Sequence, residues 1–108
     1  MVDIEMIFIE TKLFTKQVSS YLEDEEYEEL QSFLMENPDS GVLIRGTGGL
    51  RKLRWAIRNK GKRSGIRIIY YWHTMKYQIY FMTLYAKNEM SDLSAEEKKT
   101  LKNLLERW

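Results

Sequence analysis

Apolar and acidic positions alternate at the start of the chain, where Asp3 and Glu5 separate Val2, Ile4, Met6 and Phe8, and Ile7 and Ile9 extend the run. A period of two is that of a strand, so residues 2–9 are predicted as one, with its far end buried on both faces. The period then lengthens. Phe14, Val18, Tyr21 and Leu22 fall on one helical stripe, and Tyr27, Leu30, Phe33 and Leu34 fall on a second. Two helices follow, joined near Glu23-Asp24. Asp24 is the expected N-cap of the second, whose first turn is acidic as the helix dipole favours, and Asn37-Pro38 ends it.

From Gly41 the texture changes, with Gly41, Gly46, Gly48 and Gly49 marking turns ahead of three β-rich runs. Residues 50–57 (LRKLRWAI) place Leu53, Trp55 and Ile57 on one face and Lys52, Arg54 and Ala56 on the other. A loop, RNKGKRSG, leads to a strand over 66–73, and the turn Thr74-Met75-Lys76 leads to another over 77–85, completing an antiparallel meander. Ser94 to Glu97 is a capping box, and Leu101, Leu104, Leu105 and Trp108 form the stripe of a last helix. The order β-α-α-β-β-β-α, with helices grouped rather than alternating, predicts an α+β fold: a small twisted, mainly antiparallel sheet with two N-terminal helices and one C-terminal helix. At 108 residues without a linker, repeat or low-complexity stretch, one domain over 1–108 is expected.

Charge changes the picture. Lys and Arg (17) nearly cancel Asp and Glu (16), leaving +1. Residues 1–40, however, hold 11 acids and 2 bases, whereas residues 41–87 hold 11 bases and no acid. Such a segment generates a sustained positive potential whose natural partner is phosphate. Cysteine is absent, which excludes disulfides, thiolate metal sites and cysteine nucleophiles, and no apolar run approaches the roughly 20 residues of a membrane span. The N-terminus lacks the basic and apolar regions of an export signal, so a soluble cytoplasmic protein is expected.

Lys52, Arg54 and Arg67 belong to strands, so they project from rigid elements on one surface, with Tyr71 and His73 sharing the alternation of Arg67. Cations that meet phosphates beside rings that stack on unpaired bases are the means of RNA binding. Arg51 and the loop cations Lys60, Lys62 and Arg63 join Tyr71 and His73 as candidate RNA contacts. His73 is the sole histidine, which excludes a metal site built on several, and it is either a catalytic group or an ordinary strand-end residue. Gly46 to Lys52 looks like a phosphate loop but lacks the Walker spacing and precedes a strand, so nucleotide hydrolysis is not expected. The carboxylates of Glu23 to Glu29 read as a solvated helix face. Composition serves a catalytic and a purely RNA-binding surface equally.

The stretches GTGGLRKLRW, GKRSGIRIIYYW and LYAKNEMSDLS resemble the HigB branch of the RelE superfamily, the toxins of type II toxin–antitoxin modules. The likeness spans nearly the whole chain and is most specific over residues 46–94. It implies a compact α+β endoribonuclease, an mRNA interferase that cuts messages in the ribosomal decoding site and so inhibits translation. A cognate antitoxin, often with a helix-turn-helix domain, is the implied partner beside ribosome and mRNA. The family's paired basic residues resemble Lys52 and Arg54, its arginine on the next strand resembles Arg67, and its later active groups resemble Tyr85, Lys87 and Asn88. The best-known members carry an arginine where Asn88 stands and a tyrosine near the last helix, where this chain has Leu93 and Ser94.

Cleaving RNA through its own 2′-hydroxyl requires a base for that proton, charge on the non-bridging oxygens and an acid at the departing 5′-oxygen, and it requires no metal or cofactor. The assignment that follows puts Arg67 on the transition-state phosphate with Arg54 assisting. Lys52 or Lys87 is the base, since crowded cations lower a lysine pKa, and Tyr85 and Asn88 position the nucleotide or relay a proton. Two other readings stand beside this one: an RNA- or ribosome-binding module without catalysis, and a toxin homologue that has lost its nuclease and acts as a co-repressor with its antitoxin.

Overall fold

In a computed structural model, residues 5–57 and 65–107 are described. The elements run β1 (Ile7–Glu10), α1 (Lys12–Tyr21), α2 (Asp24–Glu36), β2 (Val42–Leu43), β3 (Leu50–Ala56), β4 (Gly65–His73), β5 (Gln78–Ala86) and α3 (Ala95–Glu106). One five-stranded sheet forms in the order β1-β5-β4-β3-β2, antiparallel except where β1 joins β5 in parallel. The α+β expectation and the meander hold. The strand β2 is an addition, because two paired residues leave no periodic signal. Residues 1–4, where the first strand is predicted to begin, lie outside the described residues, as do residues 58–64 of the predicted loop, with Lys60, Lys62 and Arg63, and Trp108.

Both N-terminal helices pack on one face of the sheet. Phe14, Leu30 and Leu34, all fully buried, meet Leu53, Ile66, Ile68, Tyr70, Ile79, Phe81 and Leu84. Phe14 stacks on Phe81 with ring centroids 4.8 Å apart, and Phe81 stacks in turn on Phe8. The stripe read from the sequence is thus the core-facing one. The helix start shifts by one residue: Glu23 rather than Asp24 is the N-cap of α2, closing a capping box with Glu26. Adjacent carboxylates both suit the position, and the one with an acid three residues on takes it.

On the other face, Leu101 of α3 is buried with Leu50, Ile69, Tyr80, Met82, Tyr85 and Leu93, while Leu104 and Leu105 pack against that cluster. Ser94 and Glu97 form the expected capping box of α3. This layer covers only part of its face, and the uncovered part is where the cations lie.

Candidate active site

Three strands build the site by alternation. Arg54 of β3 stands opposite Arg67 of β4, and Arg67 stands opposite Tyr85 of β5. Directly paired residues share a face, so the three make one cross-strand row about 10 Å wide at the usual strand spacing. Lys52 lies on the same face two residues before Arg54, opposite Ile69. Lys87 follows β5, and its backbone N–H donates to the Gly65 carbonyl at 3.1 Å, which brings it to the end of β4 two residues from Arg67. Lys87 and Asn88 are exposed. The structure therefore gathers Lys52, Arg54, Arg67, Tyr85 and Lys87 around one end of the sheet, with Asn88 beside them.

Among the described residues, the other sequence-predicted contacts lie elsewhere. Arg51 points to the opposite face, where its guanidinium Nη1 donates to the Asp39 carbonyl at 3.0 Å and the Gly41 carbonyl at 2.9 Å. It pins the loop before β2 instead of joining the row. Tyr71 and His73 do share the Arg67 face, but His73 is six residues along the strand, about 20 Å away. The Tyr71 ring is already engaged, stacked on Tyr80 at 6.0 Å and edge-on to His73. A Cβ on Gly49, which has φ +119°, would approach the Tyr71 ring to 2.9 Å, so only glycine lets that turn close over it. The GTGG turn holds itself together: the Thr47 hydroxyl donates to the Ile44 carbonyl at 2.7 Å and accepts from the Leu50 N–H at 3.1 Å.

Tyr85 is buried, and its hydroxyl has no hydrogen-bond partner. Burial pushes its pKa up, the Asp92 carboxylate adds to this, and the Arg67 guanidinium opposes it. A buried hydroxyl left without a partner costs stability, and the indole Nε1 of Trp72 and the Nδ1 of His73 share that state. Asp92, to which the sequence reading gave no role, brings Oδ1 to 3.5 Å from the Lys52 ammonium. The same oxygen accepts the Leu93 N–H at 2.8 Å, and that bond, with Lys52 and Lys98 nearby, holds the carboxyl below its ordinary range. Glu89 accepts the Ala86 N–H at 3.2 Å and the Tyr21 hydroxyl, fixing the turn that carries Lys87 and Asn88 to the end of α1. Between α1 and α3, a groove of about 650 Å³ is lined by Tyr85 itself and rimmed by Glu89, Glu96 and Glu97, with no cation lining it among the described residues. Those glutamates give the groove a negative potential, opposite in sign to that of the Arg54–Arg67 side.

Among the described residues no group of three or more His, Cys, Asp or Glu is placed to hold a metal ion, and no helix is long and apolar enough to cross a membrane. Guanidinium pairs with a lysine nearby can grip a phosphate through fixed donors on more than one oxygen.

The fold is similar to that of the isolated toxin RelE from E. coli, at TM-score 0.54 and 14% identity over 93% of this chain and 99% of that one. It is also similar to the toxin in the intact E. coli RelBE toxin–antitoxin complex, at 0.53 and 15% over 74% of this chain and 94% of that one. A mutant E. coli RelE bound to a RelBc antitoxin peptide matches at 0.50 and 16% over 90% and 93%. At these identities the likeness is one of fold. The family model described as RelE toxin of the RelE / RelB toxin–antitoxin system matches residues 10–108, from the end of β1 through α3, and on that match the chain belongs to the RelE toxin family.

Proposed function

We propose that this RelE-family toxin is a ribosome-dependent endoribonuclease of the HigB branch, which cuts mRNA in the decoding site and is neutralised by an antitoxin with a helix-turn-helix domain. The observation that carries the reading is the cross-strand row Arg54–Arg67–Tyr85, two arginines paired across β3 and β4 and a buried tyrosine paired with the second on β5. The HigB assignment rests on the G-x-R-I-I-Y-Y and Y-x-K-N-E-x-x-D-L stretches.

The geometry suits in-line attack by a 2′-hydroxyl on the adjacent phosphorus, which breaks the bond to the 5′-oxygen and leaves a 2′,3′-cyclic phosphate and a 5′-hydroxyl. Arg67, central in the row, meets the charge that develops on the non-bridging oxygens, and Arg54 grips the same phosphate from the next strand. Lys87 takes the 2′-hydroxyl proton, and Lys52, ion-paired with Asp92, serves as a phosphate contact. Tyr85 holds or relays the proton at the leaving oxygen. Asn88 is placed to contact the nucleotide beside Lys87. The bound antitoxins of E. coli RelE are the precedent for the protein partner.

Purified chain mixed with ribosomes paused on a defined message tests the reading. The expected products are fragments cut at the decoding site with cyclic-phosphate ends, and far fewer cuts on the same RNA without ribosomes. Ribosome binding without any cut would overturn the nuclease and favour a binding module.

A further inference from the structure

Lys52 and Asp92 join two parts of the chain that the cationic face needs in register: β3, and the segment between β5 and α3. The side chains are 26% and 51% exposed, and an ion pair so open to water contributes little to stability. Its effect is on direction. Lysine carries its charge on a flexible four-carbon stem, and without an anchor the ammonium samples many positions. Asp92 is itself anchored, because its Oδ1 accepts the Leu93 N–H immediately before the capping box of α3.

We propose that Asp92 is a positioning residue that acts through Lys52. The carboxylate, fixed at the start of α3, holds the ammonium beside the Arg54–Arg67–Tyr85 row, so that a phosphate seated on the two guanidiniums meets a third cation already in place. This rests on reading the row as an RNA-cleaving site. It assigns work to an acid at the edge of a basic surface, where charge alone makes a carboxylate unfavourable for RNA binding.

A double-mutant cycle on single-turnover cleavage of ribosome-bound message provides the test. Asp92→Asn keeps an oxygen for the Leu93 N–H but loses the charge. It is expected to slow cleavage about tenfold, the order of effect of a misplaced active group, with binding to the ribosome no weaker. Asp92→Glu should recover most of the rate. In a Lys52→Ala background, Asp92→Asn should cost nothing further. An equal loss in both backgrounds, or no loss in the parent, overturns the proposal, since a purely structural Asp92 would act regardless of Lys52. A parent that cuts no message overturns the nuclease reading along with it. A parent that cuts while Lys52→Ala cuts equally fast overturns the role of Asp92 alone.

Discussion

The two faces of β3, β4 and β5 are built from alternate residues of the same strands and have opposite character. Toward α1 and α2 stand Leu53, Ile66, Ile68 and Tyr70, closed over by Phe14, Leu30 and Leu34. One residue away along each strand, Arg54, Arg67 and Tyr85 line up on the other face beside Lys52. A single-residue step thus moves from core to cationic surface. The closed face holds the other in position, so that Arg54 and Arg67 stay paired across β3 and β4.

Separate perturbation of the two faces sharpens this division. The largest effect belongs to the closed face. Phe14→Ala removes a fully buried ring stacked on Phe81 and tilted against Tyr27, and should lower unfolding stability in urea by about 3–5 kcal/mol. A loss below about 1 kcal/mol would show that the core lies elsewhere. Next is Arg51→Ala, which should cost about 1–2 kcal/mol through its two carbonyl bonds while leaving the rate of message cleavage unchanged. A large rate loss at unchanged stability would return Arg51 to the RNA surface. Tyr85→Phe should reverse that pattern, slowing cleavage about tenfold while stability stays level or rises, because the variant no longer buries a hydroxyl without a partner.

The smallest effect is one of pH. The Asp92 carboxyl is held low in the folded chain, so its contribution is complete above the unfolded-chain pKa of about 3.9 and disappears as pH falls through the depressed folded value. Asp92→Asn cannot titrate there. Denaturation midpoints of parent and variant should therefore converge as the pH falls below about 4, and a gap that widens on acidification would contradict the assignment.

How much of this was legible in the sequence depends on how local the signal is. The capping box Ser94–Glu97 and the stripe Phe14, Val18, Tyr21 and Leu22 are local patterns, and both appear as predicted. The row follows from alternation once three strands form a meander, so Arg54, Arg67 and Tyr85 fall together without knowledge of side-chain geometry. Arg51 shows the opposite case. Counting cations drew it to the RNA surface, yet alternation with Lys52 already put it on the other face, where carbonyls hold it. Tyr71 and His73 were placed on the right face, but a shared face does not give distance along a strand. Asp92 was invisible because its pairing with Lys52 joins residues 40 apart in the chain, across a contact that only the packed sheet creates.

The central claim is that the Arg54–Arg67 pair cleaves RNA and bears little of the fold's stability. The most direct test is the single-turnover cleavage rate of ribosome-bound message by the Arg54→Ala/Arg67→Ala variant, in samples whose unfolding midpoint matches the parent. A rate lower by at least about 10²–10³ is predicted, the scale of losing preorganised charge at a transition state. A folded variant that cuts at the parent's rate would contradict the account and place the site elsewhere on the chain.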